Sequence, residues 1–197
     1  MEKKVILLDI DDTINQFNTA FWALHEEVYD EKIDPETVNT WDLANFSSQG
    51  NHVYGLFKHP GLFRYIEPKN GAVEFVEQLN EKYDVYFVTD SPPGTSHCDG
   101  DVPYANQADD KRKWVREHFP FIDKSKIIIC ANKWMILGDV LIDDKPDTFY
   151  AFQKRKRNII LMDAPHNRSI ETPFRARNFE EAHALVEQLL HGKKSHV

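Results

Sequence analysis

Short apolar runs, rich in Val and Ile and closed by polar or acidic residues, recur along the chain: "KVILLDI" (4–10), "DVYFVT" (84–89), "KIIICA" (126–131), "VLIDD" (140–144) and "NIILMD" (158–163). Runs this short and this continuously apolar predict strands covered on both faces. Between them the apolar spacing changes to threes and fours, as in "GAVEFVEQLNEKY" (71–83) and "KRKWVREHF" (111–119), which predicts amphipathic helices. A last helix is marked by Asn178 and Glu181, a capping-box-like pair ahead of "AHALVEQLL". The alternation predicts an α/β fold, a Rossmann-like parallel sheet with helices on both faces. The rhythm breaks between 15 and 70, where Phe17, Phe21, Leu24 and Val28 keep helical spacing before a loop-like centre and then "HVYGLFKHPGLF". That interval reads as a small helical cap inserted after the first strand, leaving 1–14 and 71–197 as the core. A second irregular stretch, "SPPGTSHCDGDVPYANQADD" (91–110), is too long for a simple crossover and reads as a functional lid or a disordered loop. The tail after Gly192 is expected to fray.

Composition narrows the class. A chain of 197 residues with 41% hydrophobic and 28% charged residues suits one soluble domain with a modest insert. No apolar run approaches the roughly 20 residues that span a bilayer. The N-terminus runs straight into strand residues without an apolar targeting segment, so a cytoplasmic protein is expected. The net charge of −8 opposes a surface that grips polymeric nucleic acid but leaves room for a small anion held locally by a metal. The one basic cluster, Lys154 to Arg157, reads as a solvated helix end. Of two cysteines, Cys130 is expected to be reduced and buried, and Cys98 incidental.

Chemistry enters at the strand ends. In an open parallel sheet the ligand crevice lies outside the carboxyl ends of the strands, so Asp9 stands in it, and Asp11 can return toward it with Thr13 bonding the turn. Asp143 and Asp144 end a second apolar run in the same way. Two clusters of carboxylates at one sheet edge repel unless a cation lies between them, and hard oxygen ligands without His or Cys imply magnesium. Thr89 closes its strand, and Lys133 follows "IIICAN". A carboxylate nucleophile, a second carboxylate as acid and base, a hydroxyl, a lysine and Mg2+ together suit phosphoryl transfer.

With those residues in order, the chain resembles the haloacid dehalogenase superfamily of phosphatases. Its Asp-x-Asp-x-Thr motif is matched by Asp9, Asp11 and Thr13, its strand-ending Thr or Ser by Thr89, its lysine by Lys133 and its final acidic motif by Asp143 and Asp144. The resemblance implies that Asp9 forms an aspartyl-phosphate and that Asp11 protonates the leaving oxygen and later activates water. It also implies magnesium bound by Asp9, the backbone carbonyl of Asp11, and Asp143, with Asp144 a direct or water-mediated ligand. Within the superfamily the chain is similar to the 5′(3′)-deoxyribonucleotidases in "PGLFRYIEPKNGAVEFVEQL", "KRKWVREHFPFID" and "VLIDDKPD". Phe17 falls where that family sets an aromatic against the nucleobase. Thr13, Trp41, Asp90 and Ser91 complete the implied substrate contacts, for a (deoxy)nucleoside monophosphate of the 5′-nucleotidase type. Three departures stand out: Asp90 comes between the motif Thr and Ser91, Ala131 replaces a basic residue two positions before the lysine, and the 91–110 stretch is long.

Each residue also has a plainer reading. Phe17 keeps step with Phe21 and Leu24 and could be core, Asp12 reads as an exposed or structural acid, and His166 and Asn167 read as a turn cap more than as crevice rim. His97, Cys98 and Asp99 lack a second pair at ligand spacing, so zinc is not expected. Rival functions are a phosphatase of the same superfamily for another small phosphomonoester or a nucleic-acid terminus, and a non-catalytic binding module on this fold. Partners are expected to be small nucleotides, with no membrane and no nucleic-acid polymer, and with a homodimer as the assembly to test.

Overall fold

The computed structural model describes residues 2–93 and 105–192. Five strands arise at the apolar runs: β1 (Val5–Leu8), β2 (Asp84–Thr89), β3 (Ile127–Ile129), β4 (Val140–Asp143) and β5 (Ile159–Met162). A sixth, β6 (Arg175–Ala176), is two residues long, too short to carry a periodic signal. They form one sheet in the order β3-β2-β1-β4-β5-β6, with every neighbouring pair parallel. Successive residues alternate between its faces. Ile6, Leu8, Val85, Phe87, Val140 and Ile142 join one apolar cluster, whereas Leu7, Val88 and Leu141 join the other. That alternation explains why the runs are apolar at every position.

The first face is covered by α2 (Ala72–Lys82), α3 (Gln107–His118) and α5 (Phe179–His191), through Phe75, Trp114 and Val186 among others. The second is covered by α4 (Pro146–Lys154), through Phe149 and Phe152. Helix α3 begins four residues before the apolar spacing that predicts it, because Asn106 caps it by accepting from the Asp109 amide and its first turn is polar. At α5 the Asn178 side chain accepts from Glu181 N (2.8 Å), while the Glu181 carboxylate takes the Arg177 amide (2.9 Å). Arg157 departs from a solvated helix end: its guanidinium donates to the carbonyls of Trp134 (2.6 Å) and Ile136 (2.7 Å), fixing the loop that follows Lys133. Cys130 is a free thiol but only half-buried, since β3 is an edge strand.

Between β1 and α2, helix α1 (Phe17–Tyr29) and several 3-10 turns, the longest over Gly50–Lys58, enclose an apolar cluster of their own containing Phe21, Trp22, Val53 and Phe63. The segment leaves and re-enters the core through paired strands of chain: Gln16 N donates to Glu67 O (3.0 Å) and Lys69 N to Ile14 O (2.8 Å). Contacts from α3 tie it down, with Gln107 donating to the Phe57 carbonyl (2.8 Å) and the Trp114 indole to the Ile66 carbonyl (2.6 Å). No helix among the described residues is long and apolar enough to cross a membrane.

Candidate active site

Because all strands run the same way, their carboxyl ends meet at one edge, and the chain just beyond each end carries the polar residues. Asp9 follows β1, and the register Leu8↔Ile142 sets it beside Asp143. Its amide donates to Ile142 O (3.0 Å), which continues the ladder one residue past the strand. Lys133 opens a 3-10 turn after β3 and is only 2% exposed. Its ammonium lies 2.7 Å from Asp9 Oδ1 and 2.6 Å from Asp143 Oδ2. Ligand oxygens of Asp9, Asp143 and Asp144 all lie within 4.8 Å of one another. Burial, opposed by Lys133 and reinforced by Asp143 and Asp144, pushes the Asp9 carboxyl up to about 7. The Asp143 carboxyl is raised for the same reasons. Burial works against the Lys133 charge, but Asp143 and Asp9 outweigh it and hold the ammonium above its usual range.

The turn after Asp9 is organised by a residue the sequence reading missed. Asn15, 2% exposed, accepts from the amides of Asp12 (3.0 Å) and Phe17 (3.1 Å) and donates to Asp11 Oδ1 (3.1 Å). Asp12 takes a left-handed conformation (φ 52°), which Asp tolerates better than most residues, and its carboxylate accepts from the Asn18 amide at the start of α1 (2.8 Å). Asp12 is thus a structural acid, although half-buried; burial and the nearby Asp144 push its carboxyl up to about 7.

Opposite Asp9, the Asp11 carboxylate stands apart from the acidic trio and pairs with Lys111, another residue that the pattern did not single out. Lys111 is 2% exposed and donates to Asp11, to Thr89 Oγ1 (3.2 Å) and to the Asp90 carbonyl. Its ammonium also lies 4.7 Å from the centre of the Phe63 ring. On α3, Lys111 shares the buried face of Trp114 and Val115, three and four residues on. A lysine at that spacing was the available signal.

A cavity of about 300 Å³ opens above these groups, walled by Asp9, Asp11, Thr89, Lys111 and Lys133 below and by Phe17, Trp41, Tyr54, Phe57 and Phe63 from the insert above. Phe17 lines it and also stacks against Phe63 (5.4 Å, 12°) and Phe57 (5.9 Å, 4°), so it belongs both to the packing of the insert and to the cavity wall. Trp41 is 48% exposed at the mouth, with the Lys145 ammonium 5.1 Å over its ring. Asp90 lines the cavity and lies 3.8 Å from Lys145.

Two expected substrate contacts are engaged elsewhere. Thr13 is fully buried and its hydroxyl donates to Asp144 Oδ1 (3.0 Å). Ser91 donates its hydroxyl to the Pro92 carbonyl (3.1 Å) and its amide to Asp90 (2.7 Å). His166 and Asn167 do more than cap a turn: His166 reaches Asp144 (2.9 Å), and Asn167 donates to the Asp144 carbonyl (2.7 Å). His97, Cys98, Asp99 and most of the 91–110 stretch lie outside the described residues.

The parallel sheet with an inserted helical segment has the fold of solved haloacid dehalogenase-like hydrolases. The magnesium-bound HAD-hydrolase YfnB from Bacillus subtilis aligns with 94% of this chain and 99% of its own at a TM-score of 0.58 and 17% identity. A HAD-superfamily hydrolase of subfamily IA from Geobacter sulfurreducens covers 93% of this chain and 96% of its own at a TM-score of 0.55 and 12% identity. Residues 3–194 match the family described as 5′ nucleotidase, deoxy (Pyrimidine), cytosolic type C protein, and the chain belongs to it. It is 32% identical over 191 residues to the 5′(3′)-deoxyribonucleotidase of Clostridium acetobutylicum, covering 96% of this chain and 98% of that protein. The 5′(3′)-deoxyribonucleotidase of Bacillus subtilis is 32% identical over 180 residues, 91% of this chain and 96% of that protein. The chain is therefore a phosphoric monoester hydrolase of the nucleotidase type.

Proposed function

We propose that the protein is a magnesium-dependent phosphatase that hydrolyses (deoxy)nucleoside monophosphates, of the 5′-nucleotidase type, through an aspartyl-phosphate on Asp9. The observation that carries this reading is the pairing, in one cavity, of a buried Asp9–Lys133–Asp144 floor with an aromatic roof formed by the insert. Such a floor suits a phosphate and such a roof suits a flat base. Residues 15–70 act as the cap in this reading.

The donor set fits magnesium. Asp9, Asp143 and Asp144 offer oxygen alone, all within 4.8 Å of one another, and Lys133 is the cation that Asp9 and Asp143 share. These carboxylates, with the Asp11 carbonyl, would hold the ion, which when bound supplies positive charge to the phosphoryl oxygens and keeps Asp9 ionised.

An oxygen of the Asp9 carboxylate attacks phosphorus in line as the bond from phosphorus to the nucleoside oxygen breaks, and Asp11 gives that oxygen its proton. Lys133 and Thr89 stabilise the transferring group, with Lys111 as a second buried cation on the Asp11 side. Asp11, now ionised, takes a proton from water as that water attacks phosphorus, releasing inorganic phosphate and the free Asp9 carboxylate. The test is phosphate release from a panel of nucleoside and deoxynucleoside 5′- and 3′-monophosphates, with magnesium and with excess chelator. Magnesium-dependent release that is fastest from nucleotides is expected; full activity in chelator, or preference for sugar phosphates, would contradict the reading.

A further inference from the structure

Both carboxylate oxygens of Asp144 have a close side-chain partner. Thr13 Oγ1 donates to its Oδ1 (3.0 Å), and the Nε2 atom of His166 lies 2.9 Å from its Oδ2. Its backbone carbonyl accepts from Asn167 (2.7 Å). The turn that carries His166 and Asn167, Pro165–Asn167, is gripped in turn by β6. Arg175 donates to Asn167 Oδ1 (2.7 Å), the Asn167 carbonyl (2.9 Å), the Ile170 carbonyl (2.6 Å) and Asp163 (2.8 Å). On its other side the His166 ring meets Trp41 of the insert edge-on, centroids 4.9 Å apart at 81°. The imidazole is therefore wedged between the acidic cluster and the roof of the cavity, 8% exposed.

Three buried carboxylates with oxygens this close repel one another, and each rotates away unless donors fix it. Asp9 and Asp143 share Lys133, whereas Asp144 has no lysine and depends on Thr13 and His166. We propose that His166 is a positioning residue, which holds the Asp144 carboxylate turned toward Asp9 and Asp143 and so sets the cluster's affinity for its cation. This rests on the reading of the cluster as the magnesium seat. A rival arrangement is visible in the same geometry, because His166, Asp12 and Asp144 also offer ligand atoms within 4.8 Å of one another and could hold a second ion directly.

Isothermal titration of magnesium into the full chain, without substrate, separates these outcomes. His166→Gln keeps an N–H donor, and His166→Met fills similar space without one, which avoids the void left by alanine. The wild type should bind one ion per chain. His166→Met should bind it roughly 10- to 100-fold more weakly at an unaltered melting temperature, with His166→Gln recovering most of the loss. Wild-type affinity in His166→Met, or equal losses in both variants, would overturn the proposal. So would two ions per wild-type chain with one lost in both variants, which would make His166 a ligand. Failure of the wild type to bind magnesium at all would overturn the magnesium reading, and the role of His166 with it.

Discussion

The floor and the roof of the cavity are built by opposite means. On the floor, every charged group is matched: Lys133 between Asp9 and Asp143, Lys111 between Asp11 and Thr89, Asp144 between Thr13 and His166. The backbone under these side chains is sheet ladder, tight turn or, for Lys111, helix α3, and most of them are more than nine-tenths buried. The roof has few hydrogen bonds to the floor and is made of rings, Phe17, Phe57 and Phe63 stacked nearly parallel and Trp41 and Tyr54 partly exposed. A matched polar network tolerates one geometry, whereas stacked rings accommodate different faces. In the proposed function, chemistry shared by all phosphomonoesters falls to the floor, and discrimination among leaving groups to the roof.

Substitutions on the floor should therefore damage every substrate, and substitutions on the roof only some. The largest effect is expected for Asp9→Asn, a loss of at least ~10³-fold in turnover on any phosphomonoester with the fold retained, measured by phosphate release alongside circular dichroism. Asp11→Asn should cost on the order of 10² or more, and less for an aryl phosphate, whose leaving oxygen needs little protonation. Equal damage to aryl phosphate and nucleotide would remove Asp11 as the proton donor. Lys111→Met leaves Asp11 and Thr89 without their shared cation and should lower kcat by about tenfold to a hundredfold on both substrate types. A change in KM for nucleotides alone would move Lys111 from the floor to the roof.

Roof substitutions sharpen the contrast. Phe17→Ala should lower kcat/KM on a nucleoside monophosphate roughly ten- to hundredfold while sparing a small aryl or alkyl phosphate, since a stacked base is worth about 1–3 kcal/mol. Because Phe17 also stacks on Phe57 and Phe63, the variant should melt lower than wild type as well. Smallest of all is the exposed pair that links insert and core, Arg168 and Glu36 (3.2 Å), both more than half exposed. Arg168→Ala should change stability by less than about 1 kcal/mol in urea unfolding and leave turnover alone.

How far the molecule could be read from its sequence follows the same division. Continuous apolar runs announced five strands because both faces of the sheet are covered, and acids at their ends announced the floor. Two-residue β6 left no pattern, yet it secures the His166 turn through Arg175. Lys111 escaped notice and His166 read as a turn cap because an isolated lysine on an amphipathic helix, or a histidine after a strand, is commonly solvated; only tertiary packing turns them inward. Thr13 was legible as part of a motif but not in its role, since its hydroxyl points to Asp144, an acid 131 residues away. The insert announced Phe17 and Trp41, which line the cavity, but not Tyr54 and Phe57, because 3-10 turns such as Gly50–Lys58 do not keep the 3.6-residue period.

The most direct test of the account is to stop the reaction in acid during the first turnover of a nucleoside monophosphate with magnesium present, and to look by peptide mass spectrometry for phosphate on the protein. Phosphate on the peptide that contains Asp9, absent from Asp9→Asn and absent when magnesium is chelated, is the predicted result. Wild-type turnover that never labels that peptide, with phosphate passing straight to water or to another side chain, would contradict it.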